Sequence, residues 1–449
     1  MKAALFIFPN LLGHLNPTAR LAKQLVEKNW DVVYCGRKGM LVFTIKNQFK
    51  LHALSTLPYL QRRDLKKGQS KLKSWFLNFK DRWGNKRFEE RQRELAALLK
   101  RYKPEIIFLD TFYYSDFLII HHIDPTIRCI FLDVRFPPYF TDGFIPPSNT
   151  FAFPGKENLK IWQKYFRVYF FKALWKNIIY LGKNDLKLLT KKFKELNTPT
   201  EFSIITKKLY CPAFKNIEEW FLFPSEIDFP GQKLFAWQKY VPLGVDPERF
   251  EVVNQNVNDF ILKKDSVSGS KLIYCSLGTV TDVHSSSHKK ASTLPKFYQI
   301  LIDIAILEPQ FHFIIVIDKK RKGALKNMPG NVYLTDFIPQ VHVLKNANLM
   351  INHGGGSINE AAYFGVPMFI LPINNKWDFN GNAARVVFHG LGLTAHLNDP
   401  IEKINGLIKK ILFDVEFTRR ANEKAKEISK SIKEFNLDQH LYSAIKENV

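Results

Sequence analysis

The chain has 449 residues, of which 46% are hydrophobic and 24% are charged. This composition excludes a disordered or fibrous protein, and the length predicts two or three domains. The 66 Lys and Arg residues exceed the 42 Asp and Glu residues, which gives a formal net charge of +24. We therefore expect partners that carry negative charge, such as phosphates, nucleic acid or an anionic membrane surface.

The cysteines are far apart and form no CxxC pair (Cys35, Cys129, Cys211 and Cys275). Their spacing predicts neither a disulfide framework nor a metal site. The apolar N-terminal run is followed by Asn10, Gly13 and His14, which favours a first strand over a signal peptide. No run is long and apolar enough for a membrane-spanning helix. We expect a cytoplasmic protein, soluble or peripheral on the inner face of the cytoplasmic membrane.

In the first half, short apolar runs alternate with stretches at helical spacing. Ala3–Phe8 has a strand pattern, Leu21 to Val26 a helical one, and Val32–Cys35 a strand pattern again. Ile106–Leu109 and Ile127–Leu132 are near-continuous apolar runs of the kind that is buried in a parallel sheet. This half is therefore predicted to be a doubly wound α/β domain.

A second series of strand patterns follows in the C-terminal half, at 272–275, 313–317, 332–334, 348–351 and 368–371. We therefore predict two Rossmann-like domains, at 1–235 and 269–415. The Pro, Gly and Asn content near 236–268 predicts a linker. A charged helical segment, 416–449, is expected to pack back across the junction.

Two insertions in the first half are rich in aromatic residues. Segment 62–103 has Trp75, Phe76, Phe79 and Trp83 among Lys66, Lys67, Lys71, Lys73, Lys80 and Arg82, and segment 136–180 is rich in aromatics and prolines. One interpretation is a solvated helix face with ordinary core aromatics. The other is an acceptor cleft and a basic aromatic surface that contacts anionic lipid.

The segment PNLLGHLNP places His14 after the first strand, at the carboxyl edge where doubly wound sheets bind ligands. A histidine there is a candidate general base, although a polar loop residue would give the same pattern. Asp110 ends the strand run in the same half and is a candidate to orient His14. The alternative for Asp110 is a surface residue that caps the next helix.

The strand pattern at 348–351 runs into Gly354, Gly355 and Gly356 and then a helix. Strand, glycine loop and helix N-terminus are typical of a phosphate cradle, to which His353 could donate one more hydrogen bond. Ser357 and Glu360 fit a capping box, so Glu360 either caps the helix or binds ribose hydroxyls.

Together these motifs resemble the family 1 nucleotide-sugar glycosyltransferases of the GT-B fold, in which two Rossmann-like domains face across a cleft. The resemblance is to the bacterial macrolide and zeaxanthin glucosyltransferase-like branch. Its motifs are GHLNP, FLDTF, CSLGT, FIPQ, HGGGSINE, GVP and WDFNGNAAR. It implies His14 as general base and Asp110 as its partner. The implied donor-binding residues are Ser276, Gly278, Thr279, Phe337, Ile338, Gln340, His353, Gly355, Gly356, Ser357, Glu360, Asp378 and Asn382.

The resemblance implies a hexosyltransferase that moves a sugar, with inversion and without a metal, from a UDP- or TDP-sugar co-substrate to a hydroxyl acceptor. No cofactor is expected. A hydrophobic small molecule or lipid is the expected acceptor, in a pocket formed by Phe136, Tyr139, Phe140 and Trp162.

Two departures from the family pattern are present. The interval from His353 to Glu360 is one residue shorter than usual, and Phe379 follows Asp378 where the family usually has Gln. The missing amide removes a partner for sugar hydroxyls, so the preferred sugar is expected to differ from glucose.

Three alternatives remain open. A non-catalytic nucleotide-sugar binding protein would explain both departures as a decayed donor site. A nucleic-acid-binding protein rests on net charge alone, and an epimerase of the same fold is disfavoured by the combination of GHLNP, FIPQ and the downstream donor motifs.

Overall fold

The computed structural model describes residues 2–61, 70–265, 269–278, 293–317, 325 and 328–442. The chain divides into two compact units. The first comprises Met1–Pro147, Pro154–Leu222 and Gly231–Lys239, and the second comprises Ser148–Phe153, Phe223–Pro230 and Tyr240–Val449. The domain boundaries near 235 and 268 stay predictions, and strand and helix residues are present at 238–240 and 255–265 in the segment predicted as linker.

The first unit is built on a seven-stranded sheet with the order β3-β2-β1-β4-β5-β8-β9. The strands are β1 (Ala3–Ile7), β2 (Asp31–Gly36), β3 (Lys50–Ala53), β4 (Ile106–Asp110), β5 (Arg128–Asp133), β8 (Glu218–Phe221) and β9 (Gln238–Tyr240). A separate antiparallel pair joins β6 (Ile204–Ile205) and β7 (Ala213–Phe214). Pairing from β3 through β8 is parallel, and β1 lies directly beside β4.

The helices of the first unit are α1 (Leu12–Leu15), α2 (Ala19–Glu27), α3 (Leu41–Lys46), α4 (Lys71–Trp83), α5 (Lys86–Tyr102), α6 (Tyr114–Ile123), α7 (Asn158–Ile179) and α8 (Asp185–Glu195). In α2 the buried residues Leu21, Ala22 and Leu25 recur at helical spacing, which explains why this stretch folds as a helix against the sheet. Every residue of β4 is buried, as expected for a parallel strand covered on both faces.

The second unit has a six-stranded parallel sheet with the order β12-β11-β10-β13-β14-β15. Its strands are β10 (Lys271–Ser276), β11 (Phe311–Val316), β12 (Val332–Thr335), β13 (Leu349–Asn352), β14 (Met368–Ile370) and β15 (Gly392–Thr394). Counted within the unit, this is the 3-2-1-4-5-6 order of a Rossmann fold.

The helices of the second unit are α9 (Gln255–Asp265), α10 (Thr293–Leu307), α11 (Gln340–Leu344), α12 (Ser357–Tyr363), α13 (Phe379–Phe388), α14 (Ile401–Phe413), α15 (Val415–Glu434) and α16 (Leu437–Tyr442). The charged helix α15 buries Ala421, Ile428 and Ile432 and packs against α12, α14 and the turn at 225–227.

The prediction of two doubly wound α/β sheets is confirmed. Each unit has its own apolar core, with Leu5, Leu95 and Ile107 among the buried residues of the first and Ile273, Leu301 and Ile351 among those of the second. In the part of the chain that the structure describes, no helix is both long enough and apolar enough to cross a membrane.

Candidate active site

His14 and Asp110 lie together at the carboxyl edge of the first sheet. Asp110 is the last residue of β4, and His14 follows β1, the neighbouring strand. The strand order reverses between β1 and β4, and this switch point is where open α/β sheets bind ligands. The ends of β1 and β4 therefore bring a histidine and a carboxylate together at the switch point of the first sheet.

The pair is joined by a hydrogen bond of 2.7 Å between His14 Nδ1 and Asp110 Oδ2. Asp110 is fully buried, and its other carboxylate oxygen accepts the backbone N–H of Phe112 at 2.8 Å. Because a carboxylate can only accept, it favours the tautomer with hydrogen on Nδ1 and leaves Nε2 as the basic nitrogen. Asp110 thus both caps the turn that follows β4 and orients His14, whose side chain is 16% exposed.

A second buried charge group lies beside this pair. Asp133 ends β5, and both its carboxylate oxygens accept from Arg135, at 2.7 Å to Nε and 2.9 Å to Nη2. Arg135 also donates to Thr111 Oγ1 at 3.0 Å and lies over the ring of Phe112, which in turn packs against His14. Burial alone would lower the pKa of Arg135. The charge of Asp133 and its hydrogen bonds to the guanidinium oppose this effect of burial, and the pKa is raised overall.

The same group extends to Lys208 and Glu219, which are both buried. Lys208 Nζ donates to Glu219 Oε1 at 2.8 Å, and Glu219 Oε2 accepts from the Tyr139 hydroxyl at 2.6 Å and from Gln238 at 2.7 Å. Burial lowers the pKa of Lys208, but the negative charges of Glu219 and Asp133 are among the influences that together raise it, so the pKa is raised overall. The sequence prediction missed these residues, although Asp133 carried the same signal as Asp110, a carboxylate at a strand end.

The four residues expected to form an acceptor pocket are largely inside the first unit. Phe136, Tyr139 and Trp162 are buried, and the Trp162 indole N–H donates to the carbonyl of Ile145 at 2.8 Å. Phe140 is partly buried and packs edge-on against the Trp162 ring. Their role as a pocket lining stays a prediction.

In the second unit, the glycine loop follows β13 as expected. Asn352 Oδ1 accepts the Gly354 N–H at 2.7 Å, and Asn382 Nδ2 donates to the Gly354 carbonyl at 2.7 Å and to Asp378 at 3.0 Å. Gly354 has a φ of +86°, and a Cβ there would come within 2.5 Å of the Phe379 carbonyl oxygen. The packing around residue 354 therefore requires a glycine there. At Gly356, by contrast, an added Cβ would meet nothing within 4 Å.

His353, Gly355 and the first donor loop lie close to this turn. The His353 ring is buried and packs edge-on against Phe379, while a Cβ on Gly355 would overlap its Nε2. Ser276, at the end of β10, accepts the Gly278 N–H at 3.2 Å, and a Cβ on Gly278 would contact the His353 ring. Thr279 lies outside the described residues.

Glu360 does not form a capping box with Ser357, so that alternative is wrong. The helix α12 begins without a side-chain cap, and Ser357 Oγ is buried with no hydrogen-bond partner among the described residues. Instead, the Glu360 carboxylate is ion-paired with Arg249 and accepts from the amide of Gln340. A guanidinium outcompetes a backbone N–H because a charged donor forms the stronger hydrogen bond.

Gln340 and Arg249 connect Glu360 to the rest of the second unit. The Tyr274 hydroxyl on β10 donates to Gln340 Oε1 at 2.8 Å, and Arg249 also pairs with Glu251 at 2.7 Å. Burial raises the pKa of Glu360, and the charge of Arg249 opposes that rise. Sequence reasoning missed Arg249 because no motif links it to the glycine loop.

The remaining predicted donor residues are spread along the same edge. Phe337 follows β12 with its side chain 62% exposed, and its neighbour Ile338 is buried. Asp378 precedes α13 and is buried against Asn382. Gln340, three residues after Phe337, is partly buried, and the role of Phe337 in stacking on a base stays a prediction.

The chain is similar to known proteins in part of its sequence and in its fold. Residues 303–434 match the family model for the erythromycin biosynthesis protein CIII-like C-terminal domain. The chain is 37% identical over 124 residues to a putative UDP-glucuronosyltransferase of Caenorhabditis elegans, ugt-50, covering 26% of this chain and 22% of that protein. It is 26% identical over 178 residues to YojK, an uncharacterized UDP-glucosyltransferase of Bacillus subtilis, covering 39% of this chain and 40% of that protein.

Solved structures extend the similarity over nearly the whole chain, at the level of the fold. The spinosyn forosaminyltransferase SpnP has a TM-score of 0.63 at 14% identity, covering 96% of this chain and 95% of that protein. The glycosyltransferase VinC in complex with DTDP has a TM-score of 0.61 at 14% identity, covering 95% of each chain. These structures confirm the GT-B fold. The sequence matches to ugt-50 and YojK span only about a fifth to two fifths of the length of those two proteins.

Proposed function

We propose that the chain, whose residues 303–434 match the erythromycin biosynthesis protein CIII-like C-terminal domain, is a hexosyltransferase of the family 1 macrolide glycosyltransferase type. It moves a sugar from a nucleotide sugar, with UDP-sugars as the first choice and TDP-sugars as the second, to a hydroxyl of a hydrophobic acceptor. The hydrogen bond of 2.7 Å between His14 and the buried Asp110 is the observation that supports transfer best. The similarity to UDP-glycosyltransferases supports the nucleotide-sugar donor.

His14 is proposed to act as the general base. The acceptor oxygen attacks the anomeric carbon, its proton moves to His14 Nε2, and the bond from that carbon to the nucleotide diphosphate breaks. One displacement of this kind inverts the anomeric centre. Asp110 holds the ring through Nδ1 and stabilises the imidazolium that forms, which is the role of the carboxylate in a catalytic triad.

The donor diphosphate is proposed to bind the glycine loop between β13 and α12. Negative charge develops on the leaving diphosphate, and backbone N–H groups at 355–357, together with Ser276 and His353, would offset it. Gly356 faces open space, so nothing in its own packing prevents close approach of a ligand there. We propose that this arrangement works without a metal ion.

The acceptor is proposed to be a hydrophobic small molecule or a lipid alcohol. We also propose that the protein is cytoplasmic and peripheral on the inner face of the cytoplasmic membrane. These proposals are supported by the exposed apolar side chains and the cations of α7 in the first unit.

The test is release of nucleotide from a panel of UDP- and TDP-sugars, with and without EDTA, in the presence of mixed hydrophobic alcohols. We expect metal-independent turnover with one preferred donor. His14→Ala and Asp110→Asn should each reduce turnover by roughly 10²- to 10⁴-fold while UDP binding, measured by calorimetry, is retained. His122→Ala, an exposed histidine of α6, is the matched control and should behave as the parent protein.

Two results would contradict the proposal. Unchanged turnover in His14→Ala would remove His14 as the base. UDP binding by the parent protein without turnover of any donor would favour the nucleotide-sugar binding protein with an inactive donor site.

A further inference from the structure

The helix α7 leaves most of its apolar side chains uncovered. It is 22 residues long, yet only Asn158 and Trp162 are buried. Phe170, Phe171 and Trp175 are 62%, 60% and 64% exposed, and further exposed side chains are Leu159, Val168, Tyr169, Leu174 and Ile178. A monomeric protein in water rarely exposes so many large apolar residues on one element, so this surface is expected to meet a partner.

The helix α4 continues the same surface. Trp75, Phe76 and Trp83 are exposed on α4. Arg82 of α4 is ion-paired with Asp185, to which Lys176 of α7 also bonds at 3.3 Å. Arg82 also lies over the ring of Tyr180, directly after α7. These contacts join the C-terminal end of α4 to the C-terminal end of α7. The exposed aromatic residues of the two helices form what we call the aromatic–basic surface: Trp75, Phe76, Trp83, Phe170, Phe171 and Trp175.

The charge on this surface is predominantly positive. Between Asn158 and Ile179 the sequence has five cations and no Asp or Glu: Lys160, Lys164, Arg167, Lys172 and Lys176. Lys160, Lys164, Arg167 and Lys172 are exposed. Helix α4 adds Lys71, Lys73 and Lys80 against a single Asp81, whereas its Arg82 is buried and paired with Asp185. An occupant of this surface must therefore be anionic as well as apolar.

We infer that the aromatic–basic surface binds the interface of a membrane that contains anionic lipid. Trp and Phe side chains are favoured at the boundary between headgroups and hydrocarbon, while Lys and Arg pair with anionic headgroups. A second copy of the chain would bring five cations against five cations, which opposes self-association. Nucleic acid would satisfy the cations and stack on the rings, but it offers no apolar environment for Val168, Leu174 and Ile178.

This inference rests on and deepens the peripheral membrane association proposed above, but it does not depend on the proposed glycosyl transfer. It would place the first unit at the surface of the bilayer, where a lipid-dissolved acceptor is concentrated. Binding to vesicles can be measured with no donor or acceptor present, so failure of the one proposal leaves the other intact.

The experiment is flotation of the full chain with vesicles of phosphatidylcholine alone, or of phosphatidylcholine with phosphatidylglycerol, at low and high salt. We expect binding to the anionic vesicles, and weaker binding as salt rises.

The apolar variant replaces Phe170, Phe171 and Trp175 by Ser, and its control replaces the exposed Val42 and Ile45 of α3 by Ser. The charge variant replaces Lys164, Arg167 and Lys172 by Gln, and its control does the same to the exposed Lys410, Lys426 and Lys433.

Because the two charge variants have the same net charge, they separate a local surface from a general attraction. The Lys164, Arg167 and Lys172 variant should bind anionic vesicles on the order of five-fold more weakly for each cation removed, and its control should bind almost as the parent does. The apolar variant should lose binding that persists at high salt. All the replaced side chains are exposed, so thermal unfolding should stay close to that of the parent.

Three outcomes would overturn the inference. The first is binding that does not change when phosphatidylglycerol is omitted. The second is equal binding by a surface variant and its control. The third is a parent chain that does not float with vesicles and is a dimer by light scattering, whereas the apolar variant is a monomer. The surface would then be an interface between copies.

Discussion

The ring of Phe379 packs edge-on against the imidazole of His353, with ring centroids 4.4 Å apart and planes at 85°. Phe379 stands where the family resemblance implies a Gln that holds sugar hydroxyls, and it is buried at the start of α13. Phe379 therefore makes a packing contact beside the glycine loop at the position where the resemblance implies a polar contact to the sugar. A site that lacks this amide should bind sugars with fewer hydroxyls relatively better.

We predict that Phe379→Gln shifts donor preference toward a fully hydroxylated sugar. The ratio of kcat/KM for UDP-glucose to that for a deoxygenated UDP-sugar should rise by about ten-fold, because the amide supplies a donor and an acceptor. Loss of the ring should lower the free energy of unfolding by about 1–3 kcal/mol. Phe379→Leu, which loses the ring without adding an amide, is the control; an equal shift in that variant would contradict the role of the amide.

Arg249 is predicted to position Glu360 for donor binding. Without the guanidinium, burial would raise the pKa of Glu360 further, so more of the carboxyl group would be protonated at neutral pH. Arg249→Met should then raise KM for the UDP-sugar about ten-fold, the usual size of one lost polar contact, with a smaller change in kcat. Arg249→Lys should restore part of the affinity, and Arg420→Met, an exposed arginine of α15, should have no effect.

The pH dependence of Arg249→Met separates this role from simple damage to the fold. Glu360 accepts hydrogen bonds best when ionised, so the KM of the variant should fall as pH rises through the raised pKa of Glu360, approaching the parent value. A KM that stays high at all pH values would indicate that Arg249 contacts the donor directly or that the variant is misfolded. Thermal unfolding of the same samples distinguishes those two cases.

The sequence predicted the parts of this molecule that depend on local pattern. β1, β4, β10 and β13 are mostly apolar runs, and each is a largely buried strand. Because parallel strands end at one edge of a sheet, the contact between His14 and Asp110 could be expected from the positions of two strand ends in the sequence.

Other parts depend on contacts that no local pattern encodes. The strand β8 begins with Glu218 and Glu219, a pair typical of an exposed segment, and Glu219 is buried because Lys208, Tyr139 and Gln238 neutralise or bond its carboxylate. Arg249 and Glu360 are 111 positions apart, so the capping box was the only partner for Glu360 that spacing could suggest.

Lys208 is predicted to be important for stability because it neutralises a buried carboxylate. Lys208→Met would leave Glu219 buried with neutral partners only, and loss of one member of such a pair typically lowers the free energy of unfolding by about 3–5 kcal/mol. Chemical denaturation would measure the change. The exposed Lys215→Met should stay within about 0.5 kcal/mol of the parent.

The double variant Lys208→Met, Glu219→Gln tests the reason for that loss. Removing both charges should recover part of the stability, since an unpaired buried charge is the main penalty. If the double variant is less stable than Lys208→Met alone, the hydrogen bonds that Glu219 accepts from Tyr139 and Gln238 matter more than its charge.

Two helical glycines of the second unit should respond in opposite directions to the same substitution. A Cβ on Gly381, in α13, would overlap the backbone carbonyl of Ser148, whereas a Cβ on Gly406, in α14, would meet nothing within 4 Å. Gly381→Ala should therefore lower the free energy of unfolding by about 1–3 kcal/mol, because backbone has to move. Gly406→Ala should raise it by about 0.5–1 kcal/mol, since alanine is the better helix former. Thermal melts of the two variants measure both effects, and a stabilised Gly381→Ala would show that segment 148–153 does not pack against α13 in solution.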